Sequence, residues 1–530
     1  MITIWFNALF YTMQNEGHTI DALLTKDGKI VATGTYDELK NQADERIDLR
    51  GAFVYPGFID NHMHIIGQGE KLLRLDLSNT NSSEDMMELL VNAYKDLPKD
   101  EWFIGEGWDE NNFLDKKIFT RYELDAVTDS PMLLKRTCWH AAIVNSKALE
   151  LAGITKDTPD PDDGVIERDH AGEPTGLLKE GAMQRVLQLL PNPTVAYVTK
   201  ALETSVDHLL SVGLTGVVTD DLGYYGHYQT PLKAFNNVLG GDRKFRAHLL
   251  RHFSVFPDLM ESHAFYNAPW IEPGEMKFFI DGALGGSTAL LSEPYSDEPD
   301  NVGTAVLTDE ELENHVKMAR HYGEAVAIHV IGDLAVEKAL DVIEKYPAPV
   351  GKKDRFIHVI LLRDDLVERM QRLPIVLDIQ PAFVPSDFPW VRDRLGEDRL
   401  NWAYAWKKLL TKGFICGGGS DAPIEDPNPL LGIHAAITRR LSSEQHEGYL
   451  PDEKLSRYEA VQLFTSGAAA TIGKNDSRGK LSVGFDADFT VLKEDVFTIE
   501  VDRITEIQVE KTIVAGEVMY TANTRSLFSN

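Results

Sequence analysis

Apolar residues along the middle of the chain come in short, β-rich runs separated by amphipathic segments. The runs are FVYPGFIDNHMH, LTGVVTD, FRAHLLRH, EMKFFIDG, EAVAIHV, RFIHVI, IVLDIQPAF and FICGGGSD. Short continuous apolar runs fit strands buried on both faces, as in parallel sheets. Helical patterns fall between most of them, for example DEELENHVKMARHYG and GDLAVEKALDVIEKY. Strands that alternate with helices predict crossover units. Eight such units predict an α/β fold of the (β/α)8 TIM-barrel kind. A doubly wound open sheet is the alternative architecture.

The two ends follow a different pattern. DALLTKDGKIVATG holds two β-rich runs joined by Asp27-Gly28, a hairpin signal. ADFTVLKED and VEKTIVAGEVMY, with Ala515-Gly516 at a turn, repeat that style near the C-terminus. Residues 1–55 and 479–530 are therefore expected to form one small β-sandwich, with the barrel over 56–478. Within the barrel about 130 residues lie between Ile65 and a helix starting near Thr194, far more than an ordinary βα loop. SSEDMMELLVNAYKDL, EWFIGEGWDE and PMLLKRTCWHAAIVNSKALELAG give this stretch elements of its own. It is expected to be a subdomain of about residues 66–193, inserted after barrel strand one. That rim carries the active site in barrel enzymes, so the insert is expected to cover the substrate pocket.

Composition narrows the function. The 530 residues carry 53 Lys plus Arg against 83 Asp plus Glu, a net charge of −30, which argues against phosphate-directed nucleic-acid binding. Two cysteines, Cys138 and Cys416, are too few for a disulfide framework and fit a reducing compartment. MITIWFNALFYTMQNEG lacks the basic start and cleavage site of a signal peptide. No apolar run approaches the roughly 20 residues of a membrane span. A cytoplasmic protein acting on a small molecule, without nucleic acid or membrane, is expected.

Polar side chains interrupt the strand ends. In GFIDNHMHI, His62 and His64 stand two residues apart and so share a face. His329 ends its run, His358 lies near the end of another, and Asp421 closes FICGGGSD. In EMKFFIDG, Lys277, Phe279 and Asp281 share one face; Met276, Phe278 and Ile280 share the other. The apolar set is expected under the helices, which leaves Lys277 and Asp281 facing the interior, a costly place for unpartnered charge. Each histidine alone is commonly a hydrogen-bonded core residue, and Asp421 alone could cap a loop. Their convergence at one barrel rim points to a metal site, and imidazole with carboxylate suits zinc or a related divalent ion. A lysine ammonium cannot ligate a metal. Carbamylated by CO2, Lys277 would offer two oxygens able to bridge two ions about 3.5–4 Å apart.

The order HMH, lysine, histidine, histidine, aspartate over strands one, four, five, six and eight resembles the amidohydrolase superfamily. YPGFIDNHMH, GEPTGLLKEGA, KFFIDGALGGSTALLSEPY, AIHVIGDLAVEKALD and GGGSDAPIEDPNPLLGI narrow the resemblance to its amidohydrolase-3 branch, with the YtcJ-like proteins and the N-substituted formamide deformylases. The resemblance implies that His62, His64 and Asp421 bind the more buried of two zinc ions. It implies His329 and His358 on the second ion, with carbamylated Lys277 between them. Asp421 would be base and then acid in metal-assisted hydrolysis of a non-peptide C–N bond, of the amide or formamide type. His140, in CWHAAIVNSKAL, resembles a position near the substrate. A homodimer is expected on the same ground.

Other assignments stay open at this point. Glu180 is a rival bridging ligand to Lys277. Asp333 is expected to cap the helix after His329. Trp102, Trp108, Trp139, Phe383 and Trp390 could line an aryl pocket or simply pack. An esterase or lactonase uses the same chemistry. A mononuclear deaminase would carry His-x-x-Glu, whereas His329 is followed by Val330, Ile331, Gly332 and Asp333. A non-catalytic protein of this fold would be expected to lack metal ligands, and this chain has all six candidates.

Overall fold

The computed structural model describes residues 1–95, 101–110, 113–136, 141–161, 164–190, 193–262 and 270–522. It divides into two compact units, residues 69–194 and the remainder.

The eight apolar runs form one eight-stranded sheet in chain order. Its strands are β1 (Phe58–Met63), β2 (Leu214–Thr219), β3 (Arg246–His252), β4 (Ile271–Phe279), β5 (Val326–Val330), β6 (Asp354–His358), β7 (Ile375–Ile379) and β8 (Ile415–Gly418). Neighbours pair in parallel. The sheet closes into a barrel: beyond β8, the Asp421 amide donates to the His62 carbonyl at 2.7 Å. Ser420 Oγ donates to Asp60 of β1 at 2.6 Å across the same seam. Gly57 lets β1 run against β2, because a Cβ there would meet Thr215 Oγ1 at 2.3 Å.

The expected helices are present. Asp309–His321 starts on a capping box between Thr308 and Glu311, and Asp333–Lys345 follows β5. Met276, Phe278 and Ile280 of the β4 segment lie in the large apolar layer with these helices' buried residues, as their alternation predicts.

The barrel interior is layered. Low in it, buried Arg355 bonds Asp378 at 2.7 and 2.9 Å and reaches Glu275 at 3.3 Å. Glu275 also meets His248 Nε2 at 3.0 Å. A buried charge needs an opposite charge beside it, which Asp378 and Glu275 supply here, although Arg355 Nε itself has no hydrogen-bond partner among the described residues. A separate apolar cluster of Val218, Leu250, Ala327 and Ile357 joins β2, β3, β5 and β6. The polar ends of the strands lie toward the C-terminal rim.

Strands from both termini share a seven-stranded sheet. Its hairpins turn at Asp27-Gly28 (φ 50° and 77°) and Ala515-Gly516 (φ 52° and 73°). Trp5 pairs with Ile47, and Phe489 with Pro56 of the same strand Glu45–Pro56. Those partners would stand about 30 Å apart on a flat strand, at ~3.3 Å per residue. The Trp5 and Phe489 rings nevertheless meet at 4.9 Å. The sheet folds over itself where the register slips between Phe6 and Ala8, beside positive φ at Asn7, Arg50 and Gly51. Two layers thus enclose Phe10, Leu23, Val54, Phe489 and Ile513. The first barrel strand continues directly from this sheet, with the Gly57 amide on the Asp488 carbonyl at 2.9 Å.

The 69–194 unit has a six-stranded sheet of its own, with helix Ser83–Tyr94. Trp108 is buried there, its Nε1 donating to the Leu134 carbonyl at 2.9 Å, and Trp102 packs on a second apolar cluster. Both therefore serve packing within that unit. Among the described residues no helix is long and apolar enough to cross a membrane.

Candidate metal centre

Four imidazoles form a chain at the C-terminal rim. His64 and His62 have ring centroids 5.7 Å apart, His62 and His358 5.5 Å, and His358 and His329 4.5 Å. Asp421 Oδ1 lies 3.5 Å from His62 Nε2 and 3.6 Å from His64 Nε2. The ligand atoms of these three residues all fall within 4.8 Å of one another.

The neighbours fix which ring nitrogens are free. His64 Nδ1 lies 2.7 Å from the Asp220 carbonyl, which can only accept, so Nδ1 carries the proton and Nε2 keeps its lone pair. His329 Nε2 donates likewise to the Gly282 carbonyl at 3.0 Å, leaving Nδ1 free. His358 Nδ1 donates to Gln380 Oε1 at 2.9 Å, leaving Nε2. Burial, with Lys277 and the other imidazoles nearby, holds His62 and His358 well below the usual histidine range and His329 down at about 3. Neutral rings with free lone pairs and a nearby carboxylate fit a divalent cation.

Backbone geometry completes the cluster. Alternation along β6 turns Arg355 and Ile357 inward, which would send His358 outward. His358 instead has φ 76° and Val359 φ 49°, and this turn brings the imidazole into the site. Asp421 has φ 56°. Such conformations cost about 1–3 kcal/mol each and persist where the surroundings enforce them.

Lys277 lies fully buried on β4, beside His252 of β3 and Ala327 of β5 in the ladders. Its Nζ has no hydrogen-bond partner among the described residues and sits 4.5 Å from the Phe279 ring centre. Burial lowers its pKa, opposed first by the Asp220 carboxylate and then by Asp421. The same burial pushes Asp421 up to about 6, against the pull of His64 and Lys277.

Several supporting residues escape a reading that looks only for ligands. Asp220 and Asp221 follow β2. The Asp221 carboxylate accepts the amides of Ile65 and Ile66 at 3.1 and 3.2 Å, gripping the chain just after His64. Asp220 takes the Tyr224 hydroxyl at 2.9 Å on Oδ2, while its buried Oδ1 has no partner among the described residues. Asp60 accepts from the Ser420 hydroxyl and amide.

Other expected positions resolve differently. Asp281 lies past the end of β4 and accepts the amides of Leu290, Ile331 and Gly332 at 2.9, 3.1 and 2.8 Å, so its charge is partnered rather than stranded in the barrel. Asp333 is the first helical residue after the N-cap Gly332; it is not the cap, and its carboxylate holds the Ser292 amide at 2.9 Å and Arg363 at 2.8 Å. Glu180 ends strand Pro174–Glu180 of the 69–194 unit and is exposed. Phe383 stacks on His358, with ring centres 6.0 Å apart and planes at 11°. Trp390 is half-buried against the barrel's apolar layer. Cys416 is buried and free. His140, Trp139 and Cys138 lie outside the described residues.

The profile of the Amidohydrolase family matches residues 45–520. The chain is 47% identical over 527 residues to YtcJ of Bacillus subtilis (strain 168), a protein named as an amidohydrolase, covering 98% of this chain and 99% of that one. It is 26% identical over 544 residues to N-substituted formamide deformylase of Arthrobacter pascens, covering 97% of each. Among solved structures, an uncharacterized metal-dependent hydrolase from Pyrococcus horikoshii OT3 superposes with a TM-score of 0.79 at 30% identity, over 94% of this chain and 99% of that one. The chain belongs to the amidohydrolase family.

Proposed function

We propose that this hydrolase cleaves a non-peptide carbon–nitrogen bond, of the amide or formamide type, in a small molecule at a two-zinc centre. The observation that carries the reading is the row of four imidazoles beside Asp421 and buried Lys277, whose Nζ has no hydrogen-bond partner among the described residues. The formamide deformylase among the relatives supports the choice of bond.

His62, His64 and Asp421 would hold one ion and His329 with His358 the other. Divalent zinc supplies Lewis acidity, polarising a carbonyl and lowering the pKa of water from about 15.7 toward 7. The chain's own residues do the rest. Burial lowers the pKa of Lys277 and so favours its neutral amine. That nitrogen bonds to the carbon of CO2 as one C=O π bond opens, releases one proton, and becomes a carbamate whose two oxygens share one negative charge. The modification exchanges a repelled cation for a ligand between the two histidine pairs. Asp421 accepts a proton at its carboxylate from the attacking water and delivers it to the departing nitrogen, acting as base and then acid. The Asp220 carbonyl, the Gly282 carbonyl and Gln380 keep the imidazoles oriented throughout. At the position where a deaminase of the superfamily carries the glutamate of His-x-x-Glu, this chain has Gly332, whose amide is bonded to Asp281.

The test is turnover of a panel of N-formyl and N-acyl amines, run beside the matching esters on zinc-reconstituted protein. Faster hydrolysis of the amides supports the reading. Hydrolysis confined to the esters, or to none of the panel, contradicts it.

A further inference from the structure

The inward row of β3 runs His248, Leu250, His252, and its last member has no part in the mechanism above. His252 pairs in the ladder with Lys277. Its imidazole lies between two aromatic rings, Tyr224 at 5.2 Å and Phe279 at 6.2 Å. Each of those rings touches a metal-centre histidine: Tyr224 lies 5.6 Å from His64, and Phe279 lies 5.1 Å from His329. His252 thus stands between the two half-sites, on the side of the barrel opposite the β6–β7 wall.

Its orientation is fixed from every side. Phe253 packs on it at 4.6 Å. Gly223 backs the ring so closely that a Cβ there would fall 2.5 Å from its Cγ. Nδ1 lies 2.7 Å from Ser254 Oγ and 3.4 Å from the Ser254 amide nitrogen. A backbone amide can only donate, so Nδ1 is the acceptor and the proton of the neutral ring resides on Nε2. Among the described residues that Nε2–H has no acceptor, and the ring is only half-buried.

A rigid donor beside a charge-developing centre is worth most when it needs no reorganisation as the reaction proceeds. We propose that His252 is a further catalytic residue, its Nε2–H donated to the substrate carbonyl oxygen as that oxygen takes up negative charge. The ring stays neutral and transfers no proton. The Tyr224 phenol, tied to Asp220, acts as a positioning residue that holds the imidazole face. This rests on the carbonyl hydrolysis proposed above, so its test includes one readout that needs no substrate.

The first experiment compares His252→Leu and His252→Gln in zinc-reconstituted full-length protein, with the best N-formyl amine of the panel. The expected result is a loss of roughly 10²–10³ in kcat for His252→Leu, the range for one lost oxyanion donor, with unchanged metal content. His252→Gln, which keeps an N–H near the Nε2 position, recovers most of that loss. Wild-type kcat in His252→Leu, or equal losses in the two variants, would overturn the proposal. The second experiment is 15N NMR of histidine-labelled wild-type protein, with the His252 signals assigned by their disappearance in His252→Gln. An Nε2–H tautomer is expected. An Nδ1–H tautomer would overturn the assignment whichever substrate the enzyme takes, whereas an inactive panel with an Nε2–H ring would overturn the substrate class alone.

Discussion

Asp421 Oδ1 stands 3.5 Å from His62 Nε2 across the seam where the last barrel strand meets the first, and the Asp421 amide bonds the His62 carbonyl at 2.7 Å. One residue thus closes the barrel through its backbone and joins the candidate metal cluster through its side chain. Asp421→Asn keeps the backbone bond and removes the carboxylate proposed to accept the proton. The variant is expected to melt close to wild type while kcat falls by at least roughly 10²–10⁴, the range for a lost general acid–base. Near wild-type turnover would show that the proton moves elsewhere.

Asp221 holds the turn that follows His64. Its carboxylate accepts two backbone amides and the Thr219 hydroxyl at 2.5 Å. Asp221→Ala takes the acceptor from the Ile66 amide, while the Ile65 amide keeps Thr219 Oγ1 and the Thr219 hydroxyl keeps the Met63 carbonyl, and is expected to cost about 1–3 kcal/mol in denaturant unfolding. Asp221→Asn, which still accepts, recovers part of this. Because the same turn orients His64, the alanine variant also releases metal at lower chelator concentration. Unchanged stability and metal retention would contradict the role.

Asp387, one turn along the helix that begins at Phe383, gives a pH-dependent expectation. Burial pushes its carboxyl up to about 7, against the pull of the Tyr404 hydroxyl 2.6 Å away. Its ordinary value is 3.8, so between pH 3.8 and about 7 the folded state binds more protons than the unfolded chain. This group's contribution is therefore fully present below pH 3.8 and is lost as pH rises toward 7. Asp387→Asn removes that loss, so stability measured from pH 4 to 8 is expected to gain on wild type as pH rises. A constant difference across the range would contradict the shift.

Much of this was legible in the sequence because a parallel barrel buries both faces of each strand, leaving eight nearly continuous apolar runs. Polar residues at the ends of such runs then stand out, and His62, His64, Lys277, His329 and Asp421 did so. Asp220 and His252 end their runs in the same way, LTGVVTD and FRAHLLRH, and the same rule would have found them. His358 is different. Alternation would point it outward, and only a positive φ at two successive residues turns it in. Nor could spacing show that Asp281 meets three distant amides or that Asp333 holds Ser292 and Arg363, since those partners meet only in the folded barrel. The fold-over of the terminal sheet likewise depends on conformation at Asn7 and Arg50, residue types that carry no such requirement by themselves.

Lys277 tests the account most directly. A buried amine with no hydrogen-bond partner among the described residues, beside the imidazole cluster, makes physical sense as the proposed carbamate, which would draw two cations together. The decisive measurement is zinc content per chain after reconstitution with 13C-bicarbonate, for wild type, Lys277→Ala and Glu180→Ala, with a 13C spectrum of each. The expected result is close to two ions and a carbamate signal in wild type and in Glu180→Ala. Lys277→Ala should lose the signal and much of its metal, with formate or acetate restoring part of both metal and activity. One ion per chain at saturating zinc in wild type, or full metal content in Lys277→Ala with loss in Glu180→Ala, would contradict the two-metal, lysine-bridged centre.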